Sequence, residues 1–360
     1  MILEEQRLDW IDMSKGIGII LVVLGHCFNK GNPIHNWIFS FHMPLFFILS
    51  GFCFHIEKYP EFNILLRKKI SRLIVPFIKF WVLALFVSLL IPYMRKDITL
   101  STVLTVLYTG WPGPIHMGSI WYLLSLFICM CAFWILTRIE TELKLKKIVV
   151  VMIILSGLLG CIISKLKSQF YDTGRVAEEF HYFLPGNRLP LTIDATFTSI
   201  VFFYIGVLLQ KKELLIFNLD NYLIKIGIGI VISIIVSLFL NSRVNLHGCT
   251  LGNCFYFYLA ALAGSFVVMI FSRKICKKNF FNYIKSCFIF LGKNSLLMLG
   301  VQSLGINIYV STINQILNKN YILFETVPVK HGVIMFFVVT LIFFPILYVL
   351  NKRLPESIKI

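Results

Sequence analysis

The sequence has little charge. Only 14% of its 360 residues are Asp, Glu, Lys or Arg, and 58% are hydrophobic, whereas soluble domains average roughly 25% charged residues. A soluble protein of this length could not bury so much apolar surface. The composition therefore excludes a soluble globular enzyme, a disordered chain and a collagen-like repeat, and it leaves a polytopic membrane protein.

Other features are also missing from the sequence. No A-x-A site follows the first apolar run, and four acids precede that run, so the N-terminus is not a cleavable signal peptide. There is no internal repeat of the kind many transporters have, no G-x-S-x-G nucleophile elbow and no Cys/His/Asp/Glu set with metal spacing. No basic stretch is interleaved with base-stacking aromatics, so we expect no nucleic-acid partner and no metal.

Long apolar runs dominate what is present, and they predict about ten transmembrane helices in an all-α bundle. A shorter run at 98–109 is a candidate interfacial or re-entrant segment. The longest polar stretch, about 165–188, is too short for a soluble domain, so we expect one transmembrane domain over 1–360 with nothing appended. The predicted spans are 16–30, 36–56, 72–94, 119–138, 147–164, 189–209, 222–240, 254–272, 286–310 and 332–350.

The loop charges predict the orientation. With an even number of spans, 22 Lys and Arg lie on the side of the two termini and 10 on the opposite side. Since cytoplasmic loops are enriched in Lys and Arg, both termini are predicted to be cytoplasmic. The expected location is the plasma or inner membrane of the cell, with lipid as a constant partner.

Ionisable residues in the first run indicate chemistry, because charges inside a bilayer are costly and usually functional or paired. Lys15 and His26 are eleven residues apart, which puts them on one helix face about 16 Å apart along the axis. Asp12 lies close to that face. The simpler interpretation is that Asp12 caps the helix, Lys15 snorkels and His26 is interfacial.

Two further polar residues belong to this set. His42 is predicted at the depth of His26 on the next helix, followed by Pro44, which would begin or kink that helix. The two histidines would be a base and its partner or, less favoured, a metal pair. Asp194 begins the sixth span, where it could pair with Arg188, orient a histidine, bind a sugar hydroxyl or simply start the helix.

Cations gather after the second span in the cytoplasmic cation cluster, defined here as Arg67, Lys68, Lys69 and Arg72. The positive-inside rule and anionic lipids explain such a cluster. A site for a phosphorylated cytosolic ligand explains it as well. On the outer side, Cys249 and Cys254 share a loop and could form a disulfide in an oxidising compartment.

Three blocks of the sequence resemble a known family. RLDWIDMSKGIGIILVVLGH, FHMPLFFILSGF and KKISRLIVPF are similar to the membrane acyltransferase-3 family, most of all to its fucose 4-O-acetylase-like branch. Weaker sequence similarities at 120–127, 193–206 and 290–300 extend the resemblance over nearly the whole chain. The family usually has Arg where this chain has Lys15 and Lys69, and many relatives have a late histidine where this chain has Gln302.

The resemblance implies an O-acyltransferase, expected to be an O-acetyltransferase, that moves an acyl group from cytosolic acetyl-CoA to a hydroxyl of a cell-surface or lipid-linked glycan. His26 would be the general base, because neutral imidazole accepts a proton near pH 7. Asp194 or His42 would orient it or bind the acceptor, and Asp12 completes the candidate catalytic set. The coenzyme A phosphates would bind Lys15, Arg67, Lys69 and Arg72.

Two alternatives from other classes stay open at this point. Intramembrane charges and aromatics also suit a transporter or flippase of lipid-linked sugars, and a non-catalytic subunit of a polysaccharide synthesis complex would tolerate loss of His26 and Arg72. The sequence leaves the acceptor, the acyl group and the oligomeric state undetermined.

Overall fold

The computed structural model describes residues 8–95, 98–112, 117–144, 147–173, 188–211, 221–241, 244–277, 282–319, 321–323 and 325–354. Within these ranges the protein is all-α, as predicted, and the only β feature is a bridge between Asn245 and Thr250. The helices are α1 Asp9–His26, α2 Pro33–Phe52, α3 Phe62–Leu90, α4 Leu100–Thr109, α5 Trp121–Glu142, α6 Ile148–Thr173, α7 Ile193–Lys211, α8 Tyr222–Leu240, α9 Cys254–Cys276, α10 Asn282–Lys293, α11 Ser295–Leu317 and α12 Val329–Arg353.

Eight of the described helices are long and apolar enough to cross a membrane: α3, α5, α6, α7, α8, α9, α11 and α12. The first two predicted spans are also helices, α1 with 18 residues and α2 with 20, but they are more polar. The apolar run at 98–109 forms the short helix α4. The protein is therefore a multi-pass membrane protein with an all-α bundle.

The more polar helices α1 and α2 lie inside the bundle. α1 packs against α2, α9, α10 and α11, and α2 packs against α1, α7 and α9. α1 begins at Asp9, well before the predicted residue 16, and its Asp12 side chain is buried. Both are possible because α1 is surrounded by other helices of the protein and not by lipid. Intramembrane polar residues are expected to face the interior of a bundle in this way.

Reciprocal glycine pairs bring two pairs of helices together. A side chain at Gly16 on α1 would collide with the backbone of Phe288 on α10, and one at Gly292 on α10 would collide with the backbone of Asp12. Gly51 on α2 and Gly206 on α7 make the same arrangement between those two helices. Small residues at such crossings let membrane helices approach closely, so α1 and α2 are held by backbone-to-backbone packing.

The predicted span 286–310 is wrong as a single helix. The chain leaves helical geometry at Asn294, where φ is −107° and ψ is 17°, and two helices, α10 and α11, flank this residue. The Asn294 side-chain amide donates to the carbonyl of Phe290 at 2.8 Å. Local side-chain bonds of this kind compete with the helical ladder, which explains the break.

Two prolines shape the helices that carry candidate residues. Pro44 lies in the interior of α2, which begins earlier, at Pro33, with Asn32 as its N-cap. In α3, residues Ile70–Ile74 form a π-turn in which the Val75 amide donates to the Ile70 carbonyl. Pro76 has no N–H to donate to Arg72, four residues before it, so the normal ladder is interrupted where the cytoplasmic cation cluster lies.

Candidate active site

A cavity of about 730 Å³ lies at the end of α1 that the loop charges place outside. Four of the chain's eight histidines line this outer cavity. Its wall combines residues from α1, α2, the turn before α5, α6, the loop 244–250 and α11. The polar and aromatic lining residues are His26, Lys30, His35, Asn36, Phe39, His42, Trp111, Ser119, Trp121, Lys167, Arg188, Asn245, His247, Thr250, Ser303 and Asn307.

His26 and His42, the two histidines predicted at one depth, both line the cavity, and their ring centroids are 6.2 Å apart. The Nδ1 atom of His26 lies 2.8 Å from the Val22 carbonyl, and the Nδ1 atom of His42 lies 2.9 Å from the Ile38 carbonyl. A carbonyl can only accept, so each Nδ1 carries the hydrogen and each neutral ring has its basic lone pair on Nε2. Both imidazoles are thus held in the tautomer that a general base needs.

Phe39 contacts three of the histidine rings. Its ring centroid lies 5.1 Å from that of His26, 4.8 Å from that of His42 and 3.8 Å from that of His35, on which it stacks. His35 also donates from Nδ1 to the Gly25 carbonyl at 2.9 Å. Sequence reasoning did not select His35, although its position seven residues, or about two helical turns, before His42 indicates a shared wall.

Asp194 is fully buried and pairs with Lys167, at 2.5 Å between Oδ2 and Nζ. Lys167 also donates to the Gly248 carbonyl at 3.1 Å. Of the possibilities considered for Asp194 from the sequence, the ion pair is present, but its described partner is Lys167 and not Arg188. The carboxylate neutralises a cation of the cavity wall and, through Lys167, fixes the loop 244–250 to α6 and α7.

Arg188 binds His247 instead, and both were missed as site residues. The guanidinium contacts the imidazole nitrogens at 2.6 Å and 2.9 Å and stacks on Trp111, 4.4 Å from its ring centroid. Trp121 packs on the other side of His247, with ring centroids 5.1 Å apart. Burial, followed by the charges of Arg188 and Lys167, holds the pKa of His247 well below its usual range, so this ring is neutral and accepts from the guanidinium.

The outer loop also contains the two cysteines for which a disulfide was considered. Cys249 and Cys254 are both free thiols. Cys249 is buried and its Sγ donates to the Gly160 carbonyl on α6 at 3.5 Å. Burial raises the pKa of this thiol to about 12, so it stays protonated and serves as a further anchor of the loop.

The structure places the cytoplasmic candidates away from the cavity. Arg67 and Arg72 are exposed on α3, and the Lys69 Nζ lies over the rings of Phe54 and Tyr59, at 5.5 Å and 5.1 Å. The first part of α3 packs against α5, whereas Lys15 lies on α1. The four candidate cations therefore share a side of the bundle, and no direct contact is described between Lys15 and α3.

Asp12 is also at the cytoplasmic end of α1. It is 3% exposed, and fourteen residues separate it from His26, or about 21 Å along the helix. The structure thus brings His26 and His42 together, and neither Asp12 nor Asp194 is among the residues that line the cavity. Asp12 belongs to the α1–α10 crossing, where its backbone contacts Gly292.

Gln302 lies next to the cavity wall on α11. Its side chain is fully buried, and its Nε2 donates to the hydroxyl of Ser119, which in turn contacts the hydroxyl of Ser303. Both serines line the cavity. Gln302, which stands where many relatives have a late histidine, therefore donates a hydrogen bond to a hydroxyl group of the cavity wall.

A family model of the acyltransferase-3 family, described as an acyltransferase domain, matches residues 8–352. The matched range runs from the residue before α1 into the last turn of α12. It includes all four cavity histidines and the cytoplasmic cation cluster. No curated protein and no solved structure matches the chain.

Proposed function

The chain belongs to the acyltransferase-3 family and is a membrane acyltransferase, and from this premise we propose that it is an O-acetyltransferase of a cell-surface or lipid-linked glycan, located in the plasma or inner membrane. The acyl donor is cytosolic acetyl-CoA. One observation carries the proposal: His26, in the tautomer with a basic Nε2, lines a cavity large enough for a sugar ring, together with His42 and several hydrogen-bond donors.

The acetyl donor enters from the cytoplasmic side in this proposal. Coenzyme A carries phosphates at one end and the thioester at the other. The phosphates contact Lys15, the half-buried Lys69 and the exposed Arg67 and Arg72, because guanidinium and ammonium groups bind phosphate oxygens. Lys15 and His26 lie about 16 Å apart along α1, a reach that suits the extended pantetheine arm and takes the thioester to His26.

The acceptor hydroxyl enters the outer cavity. His26 Nε2 takes the hydroxyl proton as the oxygen attacks the thioester carbon, so that a C–O bond forms and the carbonyl oxygen becomes an oxyanion. When the intermediate collapses, the C–S bond breaks and the proton passes from His26 to the departing thiolate. His42, at 6.2 Å between ring centroids, binds or orients the acceptor beside the base.

Aromatic rings support the glycan as acceptor class. Trp111 and Trp121 face the cavity on the two sides of His247. Flat apolar ring faces pack against the C–H faces of sugars, while Asn36, Asn245 and Asn307 offer amides to sugar hydroxyls. A transporter of lipid-linked sugars would use the same rings, but it has no use for the fixed His26 tautomer.

Glycan mass spectrometry tests the proposal in cells that have or lack the protein. Loss of acetyl groups from an otherwise normal surface glycan, restored by re-expression, is the expected result. Loss of the glycan itself from the surface would indicate transport. An unchanged acetyl content would contradict the proposed function.

A further inference from the structure

A chain of three polar side chains ends at the cavity wall. Gln302 Nε2 donates to the Ser119 hydroxyl, the Ser119 and Ser303 hydroxyls contact one another, and the Ser119 amide lies 3.4 Å from the Ser303 oxygen. Both serines are 6% exposed and line the cavity with His26. Three polar groups are thus connected in series within a membrane bundle, and one of them, Ser303, lines the cavity.

The direction of this chain follows from Gln302. An amide nitrogen can only donate, so the Ser119 oxygen accepts from Gln302, and the Ser303 oxygen accepts from the Ser119 backbone amide. Either hydroxyl can donate in the contact between the two serines; in the arrangement in which Ser119 donates, the Ser303 hydrogen is directed to the cavity. The opposite orientation of the Gln302 amide would place the NH2 group where Oε1 now lies, a buried position without a partner in the described residues. Because buried N–H groups without a partner are rarer than buried oxygens without one, the orientation in which Nε2 donates to Ser119 is favoured.

Another serine on the same helix shows the usual arrangement. The Ser311 hydroxyl is also buried, and it donates to the carbonyl of Asn307, one turn earlier, at 2.8 Å. Ser303 is bonded to Ser119 instead of to its own helix. Its hydroxyl is polarised by two donors in series, which strengthens the bond that it can make to a negative oxygen.

We propose that the Ser303 hydroxyl donates to the oxyanion formed during acyl transfer, and that Gln302 is a positioning residue that sets its direction through Ser119. This inference rests on the proposed function. The thioester carbonyl oxygen gains the negative charge as the acceptor hydroxyl attacks, and a donor already directed to that oxygen stabilises the transition state more than the ground state. His26 supplies the base, and Ser303 supplies the donor, and both line one cavity.

The test measures acetyl transfer from radiolabelled acetyl-CoA to the endogenous glycan of membrane vesicles that contain each variant. Ser303→Ala should lower kcat about a hundredfold, the effect of removing one oxyanion donor, and leave the KM for acetyl-CoA within about twofold. Ser303→Thr keeps a hydroxyl and should restore most of the rate. Gln302→Met, which removes the amide donor at similar length, should give a kcat between these two with the same KM.

Ser311→Ala is the matched control, because it removes a buried serine hydroxyl from the same helix outside the cavity, and it should transfer at the wild-type rate.

If Ser303→Ala does not accumulate, Ser303→Cys keeps the volume with a weaker donor and should show the same loss of kcat. Wild-type transfer by Ser303→Ala, alongside an inactive His26→Gln, would overturn the role of Ser303 and leave the proposed function intact. Absence of transfer by the wild-type protein would instead contradict the proposed function. An acetylated Ser303 peptide would also overturn the inference, since Ser303 would then be a nucleophile.

Discussion

Around the outer cavity, buried polar groups are fixed by one another: Lys167 by Asp194, Arg188 by His247 and Ser119 by Gln302. On the cytoplasmic side, Arg67 and Arg72 are exposed on a single helix. The outer region is therefore organised before any ligand binds, whereas the cytoplasmic cations would be ordered by the ligand itself. Preorganised donors are what acyl-transfer chemistry requires, and adjustable cations are sufficient for holding phosphates.

This difference predicts that single substitutions have large effects in the outer cavity and smaller effects on the cytoplasmic side. His26→Gln should give the largest loss, at least about a hundredfold in transfer rate, because an amide cannot accept a proton near pH 7. Transfer from radiolabelled acetyl-CoA to glycan in membranes measures it. The variant should insert normally and still bind acetyl-CoA.

Two histidine controls sharpen that experiment. His42→Gln should lose less, because it binds or orients in the proposed mechanism. His331→Gln changes a buried histidine that contacts Tyr309 at 3.3 Å, away from the cavity lining, and it should have little effect. Near-normal transfer by His26→Gln would falsify the proposed base.

Asp194→Asn should give the next largest effect, which is a loss of thermal stability. The substitution leaves the partly buried Lys167 ammonium without its carboxylate, and breaking a buried pair costs about 3 kcal/mol. We expect a thermal midpoint several degrees lower for the purified protein in detergent. Converting both residues, Asp194→Leu with Lys167→Met, should recover much of the loss, because well-packed apolar residues replace buried pairs with little cost. If Asp194→Asn were as stable as the wild type, the Lys167–Asp194 pair would contribute nothing to the stability of the protein.

The Lys167–Asp194 pair also shows where prediction from the sequence stops. Apolar runs predicted the helices, because a membrane span must bury its backbone bonds within one continuous segment. The similar depth of His26 and His42 predicted their common location, since residues at the same membrane depth on adjacent helices can lie close together. Neither signal reports which helices pack together, and that packing decides every side-chain pair between distant segments.

The pairs of the outer cavity were accordingly left open or missed. Arg188 and Asp194 are close in sequence, which made their pairing one of the possibilities, yet Arg188 bonds a loop residue 59 positions later. His247 lies in an outer loop with no repeated pattern around it, so nothing in the sequence distinguished it. The break at Asn294 was missed for a related reason, because a single local side-chain bond ended a helix inside an apolar run.

Arg72→Ala tests the cytoplasmic side and should have a moderate effect. A charge-assisted hydrogen bond is worth about 1.5–3 kcal/mol, so the KM for acetyl-CoA should rise on the order of tenfold or more, while kcat at saturating donor changes little. Lys352→Ala, which removes an exposed cation from the last turn of α12, is the control for general loss of positive charge. An unchanged KM in the Arg72 variant would remove this residue from the coenzyme A site.

Lys69→Arg should have the smallest effect. The Lys69 ammonium lies over the rings of Phe54 and Tyr59, and a guanidinium stacks on aromatic faces and binds phosphate with two parallel bonds. Transfer should stay near the wild-type rate, with a KM for acetyl-CoA that is equal or lower. Lys69→Met, which keeps the length and removes the charge, should raise that KM. If Lys69→Arg behaved like Lys69→Met, the fit of the side chain between the two rings would matter more than its charge, and the cytoplasmic region would be as preorganised as the outer cavity.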